Sequence, residues 1–244
     1  MDEQLRVGEL IEGTIATLRE NASAAGIFLL GMSGLGTLLE WGLTKALGGA
    51  DPLVDLPGSV MALLGVGAGI GGIIVVIVTI IAQYLLWEAM LENGALVLRS
   101  REGRRYWAFV GLMILSALGT GVASLALIIP GLIVSARWAA APAFLIHQRM
   151  GVMDAMRQSW FAVKGNTTPV VFTYLIGMFG VLALAGLVGA GSMVTMEDSM
   201  EPGFLAVLSN QLVSNLATVL QVGLGVHLFR RLAGNVDDIG AVFD

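Results

Sequence analysis

Six long apolar stretches constrain this chain more than any other feature. A helix needs about 20 mainly apolar residues to cross the hydrocarbon layer of a membrane. We place such spans at 24–43, 59–88, 107–129, 131–147, 166–191 and 204–227. Only 13% of the 244 residues are charged, whereas a soluble domain carries charge at about a quarter of its positions. The sequence therefore predicts an all-α, polytopic membrane bundle of six transmembrane helices, forming a single membrane domain over residues 1–244.

Composition argues against several classes of function. The chain has no cysteine, a net charge of −5 and only two histidines, His147 and His227. A disulfide, a thiolate metal site and a cysteine nucleophile are thereby excluded. No basic face predicts nucleic-acid binding, and no metal-ligand spacing surrounds either histidine. We therefore expect no cofactor, no metal, no nucleic-acid partner and no enzymatic activity.

The longest apolar run, 107–147, is interrupted by Pro130-Gly131. Proline cannot donate a helix hydrogen bond and glycine adopts turn geometry readily, so we expect this pair to form a tight hairpin bend. Lys and Arg accumulate in cytoplasmic loops. With six spans, every basic residue except Lys45 and Arg137 falls on one side, whereas five spans, with 107–147 crossing once, would disperse them. Charge therefore favours six spans with both termini cytoplasmic.

Two polar segments, 1–22 and 150–165, carry apolar side chains at helical spacing, and Gly165 is placed to end the second. Both are predicted to be amphipathic helices in the plane of the membrane interface, or else short caps packed on the bundle. Their apolar stripes consist of Val7, Leu10, Ile11, Ile15 and Leu18, and of Val152, Met156, Trp160 and Val163.

The same two segments correspond to each other at an offset of 145 residues, and the basic stretch 94–106 also precedes two spans. We therefore hypothesise three parallel units, or three helical hairpins, each introduced by an interfacial helix. Residues 67–72 match the GxGxxG pattern but lie inside an apolar run. These glycines are predicted to allow close helix packing rather than dinucleotide binding.

Arg137 is the most informative single residue, because it lies within the fourth predicted span. A guanidinium there costs about 2.5 to 3.5 kcal/mol unless it is paired or hydrated. Glu40, near the outer end of the first span, is predicted at a similar depth and is the first predicted partner. Glu88, toward the cytoplasmic end of the second span, is the second. The alternatives are a structural ion pair, an anion or lipid-headgroup site, and snorkelling to the membrane surface.

The last span is unusually polar on one face. Such a stripe is expected either to form hydrogen bonds between helices or to line a hydrated cavity. Ser116, Thr120 and Ser124 on the third span are a potential facing stripe. The stripe on the last span comprises Gln211, Ser214, Asn215, Thr218 and Gln221.

The region around 125–170 resembles a known bacterial family. The residues that carry the resemblance are Ile129–Ile133, Arg137-Trp138, Pro142, Gly151–Trp160 and Lys164–Asn166. They are similar to the membrane domain found ahead of the catalytic domain in some glycerophosphoryl diester phosphodiesterases, and in stand-alone bacterial inner-membrane proteins.

In that family an acidic residue follows the proline, whereas this chain has His147-Gln148 at that place. The resemblance implies a bacterial inner-membrane protein whose Pro-Gly and Arg-Trp positions matter for folding or function. It does not imply phosphodiesterase activity, because that activity resides in a separate soluble barrel for which this chain lacks the length and the acidic and histidine residues.

Together these features predict a non-enzymatic integral inner-membrane protein with a lipid-interacting or scaffold role. The alternative is a small transporter or channel that uses the polar stripe of the last span. A membrane-embedded lipid enzyme is the third class, and it lacks a recognisable nucleophile and base. The expected partners are membrane lipids, followed by a second copy of the chain or another membrane protein.

Overall fold

A computed structural model of the chain describes residues 5–46, 58–92, 103–194 and 203–240, and within these residues it contains helices and no strand. The described segments include six that are long and apolar enough to cross a membrane, so the predicted helical membrane bundle is confirmed. The helices are α1 (Val7–Glu20), α2 (Ala22–Ala46), α3 (Gly58–Glu92), α4 (Tyr106–Ala126), α5 (Ile128–Arg137), α6 (Ala141–His147), α7 (Val152–Ala162), α8 (Thr167–Val194) and α9 (Phe204–Gly240).

The spans pack as neighbours in a closed ring. The helix α2 lies beside α9, α9 beside α8, α8 beside α5, α5 beside α4, α4 beside α3, and α3 beside α2. The ring therefore consists of three hairpins, α2–α3, α4–α5 and α8–α9. The short helix α1 packs on the third hairpin, and α7 packs on the second hairpin and α6. In both cases the helix that precedes one hairpin packs on another hairpin, as parallel repeats around one axis would do. The middle unit has no helix over 103–105, and 93–102 lie outside the described residues.

Hydrogen bonds show which helix ends meet. The Leu5 amide donates to Asn166 Oδ1 at 3.0 Å, and Arg230 Nη2 donates to the Met90 carbonyl at 3.1 Å. Arg105 Nη1 donates to the Met150 carbonyl at 2.8 Å. The start of α1 therefore meets the start of α8, Arg230 of α9 meets the end of α3, and the start of α4 meets the segment before α7. In a ring of antiparallel hairpins these parts of the helices lie on one side. We call this the basic end of the ring. The acidic stretch around Glu197 lies outside the described residues.

The bend between α4 and α5 lies at Leu127, so the predicted bend at Pro130-Gly131 is wrong by three residues. Leu127 has an extended backbone (φ −166°, ψ 150°). Pro130 lies in the first turn of α5, where a missing N–H does no harm. Gly131 is buried against Ser124, and a Cβ there would collide with the serine side chain. The Pro-Gly pair thus starts the returning helix and lets it approach α4 closely.

The fourth span is broken, although 131–147 was predicted as one helix. The helix α5 ends at Arg137, a turn covers 138–140, and α6 begins at Ala141. Pro142 cannot donate the helix hydrogen bond that would reach the turn before it, which explains the break. Residues 141–146 are all buried, and α6 packs against α3, α4, α7 and α9. This short helix therefore fills the centre of the ring at the basic end.

Both amphipathic segments are helical, but the buried face of α1 differs from the predicted stripe. Leu10, Thr14, Thr17 and Asn21 are buried, whereas Ile15 is 43% exposed. The threonine hydroxyls donate to the carbonyls of Leu10 and Gly13, so they can be buried without unmet hydrogen bonds. In α7 the predicted stripe does face the bundle, and Gly165, at φ +97°, follows the end of the helix.

Candidate functional site

Arg137 lies where α5, α7 and α8 meet. Its Nε donates to Thr167 Oγ1 at 3.2 Å, and its guanidinium carbon lies 4.4 Å from the centroid of the Trp160 ring. Its backbone carbonyl accepts a hydrogen bond of 2.7 Å from Ser159 Oγ. A guanidinium over an indole is a cation–π contact, which is strongest where water is scarce. The Trp160 ring therefore covers one face of the guanidinium and Thr167 binds its Nε nitrogen. The Arg137 residue is half-buried.

The local sequence explains this position. The turn at 138–140 ends α5 directly after Arg137, and Trp138 packs beside Trp160 with ring centroids 6.1 Å apart. Gly119 of α4 leaves the space that the Trp138 ring occupies. The Thr167 hydroxyl donates to the Val163 carbonyl at 3.3 Å, which orients its oxygen to accept from Arg137. The proline break and the turn before α8 together build the site.

The predicted ion pairs of Arg137 are not formed. Glu40 accepts a hydrogen bond of 2.9 Å from Gln211 Nε2, and Glu88 forms an ion pair of 3.2 Å with Arg104. No carboxylate among the described residues pairs with Arg137. The prediction that Arg137 and Glu40 lie at a similar depth is wrong. The carbonyl of Ala139, two residues after Arg137, touches α9 at Gly225, whereas Glu40 touches α9 at Gln211, which lies about 21 Å away at 1.5 Å per residue.

Two further exposed cations follow the same part of the chain. Arg157 lies three residues before Trp160 and so shares its side of α7, and Lys164 lies in the turn after the helix. Sequence reasoning singled out Arg137 but not Trp160 or Thr167 as its contacts. Trp160 stood in the predicted apolar stripe, and a tryptophan between two basic residues was the available signal.

The polar stripe of α9 faces α2 in part. Besides the bond from Gln211 to Glu40, Asn215 Nδ2 donates to Ser33 Oγ at 3.0 Å. These contacts match the hydrogen bonding between helices that the sequence suggested. Thr218 is half-buried, whereas Ser214 and Gln221 are exposed.

The potential facing stripe on the third span packs elsewhere. Ser135 Oγ of α5 lies 3.5 Å from Thr120 Oγ1, and Ser124 lies against Gly131. Both serve the α4–α5 hairpin, so the expectation that this stripe faces the last span is wrong. The side chains of the stripe contact α5 because the bend at Leu127 holds α4 and α5 side by side.

An apolar groove of about 370 Å³ lies between α1, α8 and α9. Ile11 and Ile15 of α1 form one wall, so part of the predicted stripe faces this groove rather than the bundle. The hydroxyls of Thr14 and Thr173 also line it, but each donates to a carbonyl of its own helix. Ile15, Ile176 and Leu182 are 43%, 50% and 56% exposed, so the groove opens laterally. The other lining residues include Tyr174, Gly177, Val181, Leu220, Gln221 and Leu224.

The GxGxxG stretch at 67–72 lies inside the continuous helix α3. The pattern binds a dinucleotide only where a strand turns into a helix, so it has no such role here. Within the described ranges, no group of three or more His, Asp or Glu residues is placed to hold a metal ion.

The ring of apolar spans with a buried short helix at its centre defines a polytopic helical membrane protein. No family model matches the chain, and no curated protein or solved structure matches it either. The resemblance to the membrane domain of glycerophosphoryl diester phosphodiesterases therefore stays a prediction.

Proposed function

We propose that this chain is a non-enzymatic protein of the bacterial inner membrane that binds phospholipid, with an acyl chain lying in the groove between α1, α8 and α9. The observation that carries the proposal is this lateral groove. Two of its walls belong to apolar spans, and its threonine hydroxyls are satisfied within their own helices. An aliphatic chain fits such a lining because no unmet donor or acceptor of these threonines is left buried.

The orientation follows from charge. Basic residues surround the end of the ring where α1 begins and α9 ends, and cytoplasmic segments are rich in Lys and Arg. We therefore infer that the basic end is cytoplasmic and that both termini lie there. The assignment to a bacterial inner membrane rests on the family resemblance alone.

The transporter alternative finds less support. Gln211 and Asn215 bond to α2, and α6 occupies the centre of the ring at the basic end. A lipid-binding or scaffold role requires no path through the ring. The groove is also where α1 contributes exposed apolar area, as an interfacial helix in contact with lipid would.

Two glycines of α8 provide the test. Gly177 lines the groove, Gly180 does not, and a Cβ added at either position meets open space. Gly177→Trp should fill the groove and lower the fraction of purified protein that retains phospholipid in native mass spectrometry. Gly180→Trp adds the same side chain to the same helix outside the groove, and it should retain lipid like the wild type.

Equal lipid retention by the two variants would contradict the proposal. Thermal unfolding and circular dichroism of both variants provide the check that each is folded. A loss of lipid that appears in both variants would point to a general effect of tryptophan on α8, and would count equally against the groove.

A further inference from the structure

We propose that Arg137, lying on the Trp160 ring, binds a phosphate group, and that a phospholipid headgroup at the basic end supplies it. This inference rests on the proposed function, because it requires that the chain binds phospholipid, but it adds a second site, between α5, α7 and α8.

The free donors of the guanidinium point to this ligand. Thr167 occupies only Nε, and no partner among the described residues bonds to either Nη nitrogen. Those nitrogens are not fully enclosed either, since Arg137 is only half-buried. The two Nη groups therefore form an open fork. An arginine fork matches the oxygens of a phosphate, which can accept two parallel hydrogen bonds.

Charge around the site agrees with an anionic ligand. Arg137 has no carboxylate partner in the described parts of the chain, and two exposed cations, Arg157 of α7 and Lys164 in the turn after α7, lie close to Trp160 in the sequence. A half-buried cation in a membrane protein needs a counter-charge or water. A phosphate supplies that counter-charge, and the two exposed cations draw anions towards it.

The position of the site favours a lipid as the source. Basic pockets between membrane helices on the cytoplasmic side bind anionic headgroups. Tryptophan is enriched at the level of the headgroups, and Trp160 lies beside the start of α8, at the basic end. Arg230, by contrast, is bonded to Glu20 and to the Met90 carbonyl, so its charge serves packing.

The experiment measures headgroup preference. The full chain is incubated in detergent with equal amounts of phosphatidylglycerol and diacylglycerol, which has no phosphate group, and native mass spectrometry gives the ratio of the two bound lipids. In Arg137→Gln this ratio should fall about tenfold, as expected for the loss of hydrogen bonds to a charged group. Arg19→Gln is the matched control, since it removes one exposed cation from the end of α1, and it should keep the wild-type ratio.

Two milder variants keep the test decisive if Arg137→Gln does not fold. Arg137→Lys keeps the charge but loses the fork, and Trp160→Phe keeps a ring with a weaker cation–π contact. Both should lower the ratio, by less than Arg137→Gln. An unchanged ratio in every folded Arg137 and Trp160 variant that still binds lipid would overturn the phosphate site alone. Wild-type protein that binds neither lipid would overturn the proposed function.

A second arm identifies the source of the phosphate. The thermal unfolding temperature of delipidated protein is measured in inorganic phosphate and in chloride at equal ionic strength. Stabilisation by phosphate that disappears in Arg137→Gln, together with an unchanged lipid ratio, would assign the site to soluble phosphate and reject the headgroup. A lipid ratio that depends on Arg137 assigns it to the headgroup. If neither measurement depends on Arg137, the inference is wrong.

Discussion

The two ends of the ring are built on different principles. At the basic end, residues 141–146 of α6 and 222–226 of α9 are all buried. At the opposite end, Leu125, Leu127 and Leu205 are 88%, 68% and 74% exposed. The first region resembles the interior of a soluble protein, and the second presents apolar side chains that only lipid can cover. Packing between helices therefore stabilises the basic end, while the membrane stabilises the other.

Glycines make the difference possible. Gly225 allows Trp87 and the Ala139 carbonyl to reach the α9 backbone, and Gly223 allows Leu18 of α1 to do so. Small residues let helices approach closely and so increase van der Waals contact between them. This contact matters in a membrane because lipid tails are as apolar as the side chains, so the hydrophobic effect does not drive helices together. In contrast, Gly180, Gly186 and Gly191 of α8 have open space around them.

The largest expected effect is Phe144→Ala in α6. Phe144 is 1% exposed and packs edge-on against Phe229 with ring centroids 4.9 Å apart. Its truncation should cost about 3 to 5 kcal/mol because it leaves a cavity. Leu125→Ala, at the opposite end of α4 where the side chain is 88% exposed, is the control and should change thermal stability in detergent only slightly. Comparable losses from the two variants would remove the distinction between the ends.

A smaller effect is expected from Gly225→Ala. The added methyl would meet the Trp87 ring and the Ala139 carbonyl, and a backbone carbonyl cannot move aside cheaply. Overpacking of this kind costs about 1 to 3 kcal/mol. Gly180→Ala, made in open space, should be neutral or slightly stabilising because alanine favours helix. Chemical unfolding of the two variants would measure the difference, and a stable Gly225→Ala protein would show that the close approach is not needed.

The smallest effect sharpens the account of the polar stripe. Asn215→Leu and Ser33→Ala remove the two sides of the hydrogen bond between α9 and α2. Interhelical hydrogen bonds in membranes contribute about 0.6 kcal/mol on average, so a double-mutant cycle should give a coupling energy near that value. A coupling several times larger would mean that polar contacts between α2 and α9 contribute substantially to stability away from the basic end.

Sequence reasoning succeeded where one residue type dominates. The six spans follow from hydropathy, and Gly165 ends its turn as predicted because glycine adopts positive φ without strain. The sequence predicts local structure less reliably where one residue is compatible with two conformations. Pro130 is compatible with a bend and with the first turn of a helix, and Pro142, which actually breaks the fourth span, stood in a short apolar stretch that looked continuous.

The site shows the same limit. Arg137 stood out because a charge inside a span is costly, but its partners were sought by estimated depth. The bend at Leu127 and the break at 138–140 shift that depth, and they bring Arg137 to Trp160 and Thr167 instead of Glu40 or Glu88.

The amino-acid sequence by itself determined that this chain is a six-span helical membrane protein, because the length and apolarity of a span are local properties. Only the tertiary structure decided that α6 closes the centre of the ring and that α1 turns its threonines inward. It also decided that Arg137 lies on an indole ring and pairs with no carboxylate of the described residues. These outcomes depend on which helices become neighbours, and that choice arises from packing between segments far apart in the chain.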